Sequence, residues 1–400
     1  DLCSRYVSSY RNLSAGRVQT PVLGWVIENY ERNKATAKHY ISINLNGIRI
    51  ELVLPKDIDV KKTEHVKEVI VEVKELKEIE EELNPLPPYT TDAALSDISS
   101  RLGLPAPKVM DILQDLFELG FITYHRTDST RISDVGINVA KEYLSELLGN
   151  ELSKYFQPRR WGEGGAHEGI RPTRPIDTQT LRKLIADGII EPVRRLTRQH
   201  FSVYDLIFRR FIASQSKPAR VKKQVGHASI RIVTKDEKVY DLGEVDFSAY
   251  TDVLFDGFMK FYQYVRIAKP ISVGRYILTK GFIVYKKSDV PLHTEASLIR
   301  MMKEREIGRP STYAKIIDTL FKRNYITKRR GGDEVVPTVL GKEVYEYLNK
   351  HYGKLVNEER TRFLERKMKE VEEGKARYSD VIKELFKELE SEVGIPGVRA

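Results

Sequence analysis

Two long stretches of alternating apolar and polar residues, held apart by a block of different period, constrain the fold of this chain more than any other feature. Residues 38–83 contain ISINLNGIRIELVL and EVIVEVKELKEIEEEL, where like side chains recur at every second position. That spacing puts them on one face of a strand. Asn46-Gly47 lies between two such runs, a pair that readily takes the positive φ angles of a two-residue hairpin turn. The alternation returns from Ala219 to about Lys286, in SIRIVTK and GRYILTKGFIVYKK. Between the two stretches, apolar residues recur at helical spacing over 91–119, 134–148 and 178–189. The Pro-rich run NPLPPY (84–89) interrupts both periods and marks a boundary. A helix is expected over Thr20–Asn33, with Pro21 in its first turn, and again almost throughout from Pro291 to Glu392. The expected fold class is multidomain α+β. Residues 1–36 and 291–400 are expected to form a helical domain, 37–86 and 201–290 a β-rich arm, and 87–200 an inserted helical domain. Long β connections of this kind would let the insert move as a unit.

Composition excludes several classes of function. With 41% hydrophobic and 31% charged residues the chain is globular, neither disordered nor membrane-embedded. No run approaches the length of a membrane span. The segment DLCSRYVSSYRN has no apolar signal core and Cys3 is the single cysteine, so a cytoplasmic chain without disulfides or a cysteine-rich zinc site is expected. GxxxxGK[ST], HExxH, DxDxE and GxSxG are all absent, so no ATP loop, zinc site, preformed magnesium cluster or serine-hydrolase elbow is expected. The net charge is +10. Nine basic residues fall between Pro192 and Lys223 against the lone acid Asp205, and Lys322, Arg323, Lys328, Arg329 and Arg330 form a second group. Such clusters are the expected footprint of a polyanion-binding surface.

An internal repeat sharpens this reading. KVMDILQDLFELGFIT (108–123) aligns without a gap on TYAKIIDTLFKRNYIT (312–327), at a constant offset of 204. Each copy reads as helix, turn, helix and strand, the pattern of a winged helix-turn-helix. YHRTDST follows the first copy and KRRGGDE the second, so one is suited to chemistry and the other to gripping phosphate. If Tyr124 lies on a strand, Arg126 and then Asp128 share its face. A guanidinium beside a phenol favours the phenolate and can hold a phosphate oxygen next to it. The Gly-rich loop WGEGGAHEGIRPTRP (161–175) brings backbone close to a ligand and carries His167 and Arg171. LSAGRVQTP (13–21), with Ser14, Arg17 and Gln19, and IGRPSTYA (307–314) each place hydroxyls and an arginine ahead of a helix, as anion sites do.

Together and in this order, LSAGRVQTP, the Tyr-x-Arg-Thr-Asp-Ser segment, AHEGIRPT and IGRPSTYA resemble the signatures of the type IA DNA topoisomerases, and RTRFLERKMKEVEEGK resembles that family's closing helix. His125, WGEGGAHE and QTPVLGW are more similar to the reverse gyrases than to bacterial housekeeping enzymes. The resemblance implies a torus with two winged-helix, CAP-like units and a β arm. In it Tyr124 attacks a DNA phosphodiester to form a 5′-phosphotyrosine, Arg126 and His167 hold the scissile phosphate, and Asp128 orients His167. Ser14, Arg17, Gln19, Glu168, Arg171, Arg309, Ser311 and Thr312 are implied DNA-binding residues. It further implies strand passage, religation, ATP-dependent positive supercoiling and growth at high temperature. The family's Toprim domain, which would supply Mg2+, and the reverse-gyrase helicase, which would supply ATP chemistry, are not in this sequence. A subunit or fragment needing those parts, and inactive without them, is therefore expected. A non-catalytic winged-helix DNA-binding protein is the alternative. A tyrosine recombinase also forms a phosphotyrosine, but its dispersed Arg/His set does not match these loops.

Overall fold

The computed structural model describes residues 13–56, 63–162, 167–330 and 332–393. The chain divides into two compact units, Asp1–Glu28 with His293–Ala400, and Asn29–Leu292. Helix α1 (Gln19–Ala35) is followed by two antiparallel sheets of the second unit. One has the order β2-β1-β7, from β1 (Ala37–Leu45), β2 (Ile48–Val53) and β7 (Phe282–Ser288). The other has the order β5-β4-β3-β6, from β3 (Val66–Leu83), β4 (Ala219–Thr234), β5 (Val239–Phe255) and β6 (Gly274–Leu278). Leu45 pairs with Ile48, and the intervening Asn46 and Gly47 have φ of 53° and 94°, so the predicted two-residue turn is present. β3 and β4 pair along their whole lengths, from Val66 opposite Thr234 to Leu83 opposite Ala219. The two alternating stretches are thus hydrogen-bonded partners, and the helical block leaves and re-enters at one end of their ladder. Ile41, Ile43, Ile50, Val69, Val71, Ile230 and Ile232 fill a common apolar interior. On β4, Gly226 leaves room for the Phe247 ring, because a Cβ there would lie 2.4 Å from its Cζ.

The block between β3 and β4 holds α2 (Thr91–Leu102), α3 (Ala106–Glu118), α4 (Asp134–Leu148), α5 (Thr178–Ala186) and α6 (Arg198–Ser214). Leu95, Ile98, Ile112, Leu116, Leu144, Leu181 and Ile207 are fully buried among them. Residues 201–214, expected in the β arm, belong instead to α6. Val203, Tyr204, Ile207, Phe208 and Phe211 recur at three- and four-residue steps and are buried. The basic residues interleaved with them obscure that period in the sequence.

In the first unit, the opening turns of α1 bury Val22, Leu23 and Val26. α7 (Glu295–Glu304), α8 (Tyr313–Lys322), the hairpin β8 (Ile326–Lys328) and β9 (Val335–Pro337), α9 (Val339–Val356), α10 (Glu358–Glu372) and α11 (Tyr378–Val393) complete it. The repeat is visible in the backbone. Gly120 and Asn324 both take positive φ, 72° and 55°. Phe121 N donates to Leu116 O at 2.9 Å as Tyr325 N does to Leu320 O at 3.0 Å. Ile122 then bridges to Pro172, and Ile326 to Pro337. The second copy returns directly through β9. In the first copy the chain returns only after α4 and the Gly-rich loop, so everything from Tyr124 to His167 is inserted between two paired strand ends. Among the described residues no helix is long and apolar enough to cross a membrane.

Candidate active site

In the second unit the site is built against one edge of α3, where Gln114, Phe117 and Glu118 lie at helical-neighbour spacing. Residues 124–128 form no strand and bend at His125 and Arg126; even so, Tyr124, Arg126 and Asp128 are exposed while His125 and Thr127 are buried. The alternation comes from anchoring on α2. Thr91 N donates to Thr127 O at 2.8 Å, Thr91 Oγ1 donates to His125 O at 2.7 Å, and Thr127 N donates back to Thr91 Oγ1 at 2.9 Å. The Tyr124 ring, 38% exposed, meets Phe117 edge-on at 5.3 Å and lies 5.3 Å from the His167 ring, tilted by 33°. Arg126 donates to Gln114 Oε1 at 3.2 Å, while Gln114 Nε2 donates to Glu118 at 2.7 Å. Behind Tyr124, His125 has no exposed surface and neither ring nitrogen has a hydrogen-bond partner; burial, with Arg126 adding to it, pushes its pKa down to about 4.

Three hydrogen bonds of Thr123 stitch the Tyr124 segment to the His167 loop, one of them from its N to Arg171 O at 2.9 Å. Thr123 Oγ1 donates to Gly169 O at 2.9 Å and accepts from Arg171 N at 3.1 Å. Tyr124 and His167, 43 positions apart in the sequence, are thereby brought together. Asp128 is exposed, and among the described residues no hydrogen bond joins it to His167. Glu168 and Arg171 hold different places from those expected of DNA-binding residues. The Arg171 side chain is only 6% exposed, Nε meets Glu168 at 2.7 Å, and Nη1 donates to Pro172 O at 3.0 Å. Burial opposes the charge on Glu168, but Arg171 and Ser133 outweigh it and hold the carboxyl below its ordinary range. Gly136 makes space for this pair, since a Cβ there would lie 2.7 Å from Arg171 Nε. A guanidinium so enclosed fastens the loop. Gln114 and Thr123, which hold the site with Thr91, lie in the first copy of the repeat, but nothing in the sequence singles out any of the three as a site residue.

In the first unit, Gly308, at φ of 83°, lets the 307–314 loop pass close to Val18, with 3.4 Å from its Cβ position to Val18 Cγ1. Buried Tyr325 anchors the other loop: Ser14 N donates to its hydroxyl at 2.8 Å, which donates to Ser14 O at 3.0 Å. Gln19 is buried and its amide lies 3.4 Å from Ser14 O. Arg309 N donates to Thr312 Oγ1 at 3.0 Å, and Ser311 is exposed. Arg17 and Arg309, though half-exposed, both pair with acids of α10. Glu372 first, with Glu365, holds the Arg309 guanidinium above its ordinary value.

Several bases of the stretch 192–223, expected to mark a polyanion-binding surface, are paired or buried. Arg194 pairs with Asp115 and Glu118, Arg209 with Asp205, and Lys223 with Glu81. Arg210 is buried, donating to Pro87 O at 2.7 Å with its guanidinium over the rings of Tyr89 and Tyr262. In the second cluster, Lys322 pairs with Asp318 and Lys328 with Glu295. Among the described residues no group of three His, Cys, Asp or Glu side chains could hold a metal ion.

The chain matches the DNA topoisomerase family over residues 2–383. It is 46% identical over 386 residues to the reverse gyrase of Pyrococcus furiosus, covering 94% of this chain and 30% of that protein. Reverse gyrase 1 of Aquifex aeolicus is 45% identical over 390 residues, with 94% of this chain and 32% of that protein covered. The full-length topoisomerase I of Thermotoga maritima superposes with a TM-score of 0.72 at 29% identity, over 98% of this chain and 64% of that one. The chain belongs to the type IA DNA topoisomerase family. Within it, the sequence is similar to the topoisomerase part of reverse gyrases and spans about a third of the length of these relatives.

Proposed function

We propose that this chain is the tyrosine-bearing part of a reverse-gyrase-type topoisomerase that opens and reseals one DNA strand. The Tyr124 oxygen attacks the phosphorus of a backbone phosphodiester. The phenol gives up its proton to solvent, a bond forms from its oxygen to the 5′ phosphate, the P–O3′ bond breaks, and the departing 3′ oxygen takes a proton from solvent. Reversal of the same exchange reseals the strand after another has passed. The observation that carries this reading is a solvent-facing phenol on a segment anchored to α2, with His167 beside its ring and Arg126 also exposed two residues on. A positioned imidazole and guanidinium suit the holding of a phosphate, although Arg126 rests on Gln114 before DNA binds. The repeated helix–turn–helix elements fit winged-helix DNA contacts.

In this family magnesium belongs to the Toprim part. The side chains described in this chain do not build a metal site, so no step above runs through one. Toprim and helicase parts, on a partner or elsewhere in a longer chain, would supply the metal and the ATP-driven positive supercoiling. The test combines the chain with such parts, magnesium, ATP and negatively supercoiled plasmid, then denatures and probes for DNA with protein on its 5′ end. The native chain is expected to give that adduct, and Tyr124→Phe to abolish it while keeping single-strand affinity. Equal and absent adducts from both proteins, with DNA binding intact, would favour a non-catalytic DNA-binding role.

A further inference from the structure

Two arginines from distant parts of the chain converge on one carboxylate. Arg17 Nη2 lies 3.2 Å from Oε1 of Glu365, and Arg309 Nε lies 3.0 Å from its Oε2. Arg309 Nη1 also meets Glu372, two turns further along the same face of α10, at 2.6 Å. Glu365 is the most shielded of the three, 13% exposed against 40% for Arg17 and 35% for Arg309. The helix is fixed in this place by other bonds. The hydroxyl of fully buried Thr361 donates to Arg17 O, and Glu358 accepts from Trp25 Nε1 at 2.9 Å and pairs with Arg305 at 3.0 Å.

One guanidinium on each oxygen of a single anionic group is also how two arginines grip the two non-bridging oxygens of a phosphodiester. We propose that α10 is a built-in competitor for DNA: Glu365 and Glu372 occupy the nitrogens of Arg17 and Arg309 that a single strand must take over to bind. This regulation rests on the reading of Arg17 and Arg309 as phosphate-binding residues. An isolated phosphate must displace a carboxylate already in place and gains little. A strand that also engages the exposed hydroxyl of Ser311 and neighbouring loop groups makes additional bonds and can offset that displacement. The device therefore favours extended polynucleotide over free nucleotide.

The test titrates the full chain against a fluorescent oligothymidylate and follows anisotropy. Arg17→Ala and Arg309→Ala are expected to weaken binding. Glu372→Gln and Glu365→Gln are expected to tighten it by about threefold or more, the scale of an exposed ion pair, and to lose that gain when Arg309→Ala is added. Unchanged or weaker binding by both Gln variants, with the Arg variants still weak, overturns the competitor and makes α10 a scaffold that aims the arginines. Indifference to both Arg→Ala changes instead overturns the assignment of those arginines to phosphate. Should Glu365→Gln lose its helical circular dichroism, Glu372→Gln, whose carboxylate is 60% exposed, decides the matter.

Discussion

His125 stands directly behind the candidate nucleophile and has an imidazole with nothing to bond. An ordinary histidine titrates near ~6.5, whereas burial brings this one down to about 4. The unfolded chain therefore takes up a proton before the folded one as the solution is acidified. Stability is full above the ordinary value, falls between it and about 4, and levels off below. The expected loss from this residue is about 2 kcal/mol between roughly pH 7 and 5. His125→Leu should remove that part of the slope, read from urea midpoints of the two proteins at both pH values. Identical slopes would mean that the ring is charged or hydrated in the folded protein.

Among the elements, α3 does two tasks. One face is sealed into the helical core by Val109, Ile112, Leu113 and Leu116, and its edge supplies Phe117 and Gln114 to Tyr124 and Arg126. The start of α2 supplies the clamp, since Thr91 fixes the backbone on both sides of Arg126. Thr91→Val keeps the shape and removes the hydroxyl, leaving Thr127 N–H without its acceptor. The expected cost is about 1–3 kcal/mol, with a larger fractional loss of covalent adduct than of single-strand affinity. Thermal melts and adduct assays on the same preparation separate the two, and a loss in stability alone would reduce Thr91 to a structural role.

At the scale of the whole molecule, the arm and the insert of the second unit are tied where the chain passes between them. Tyr89 at the end of the Pro-rich run and Tyr262 beyond β5 both donate to Asp97 of α2, and Arg101 Nε reaches it at 2.9 Å. Burial opposes the charge of Asp97, yet the bonds from Tyr262, Tyr89 and Arg101 prevail and hold its carboxyl below the usual range. Asp97→Ala removes the acceptor that two phenols and a guanidinium share and should cost about 1–3 kcal/mol. A lowered urea midpoint and earlier proteolysis within 84–89 would show it, and an unchanged midpoint would show that the junction is held by apolar packing alone.

The sequence alone determined the periodic and local features. Alternation marked the strands, Asn46-Gly47 the turn between two of them, and the repeat two copies of one helix–turn–helix pattern. It also marked Tyr124 and His167, because each stands in a compact motif. It misplaced α6, whose helical period is crossed by basic residues. It also treated Arg171, Arg194 and Arg210 as available cations, although the folded chain encloses the first and last and pairs the other with acids. Composition records charge but not the partner that neutralises it. Only the tertiary structure decided that, because Asp115 and Glu365 meet their arginines through packing of segments that sequence order does not bring together.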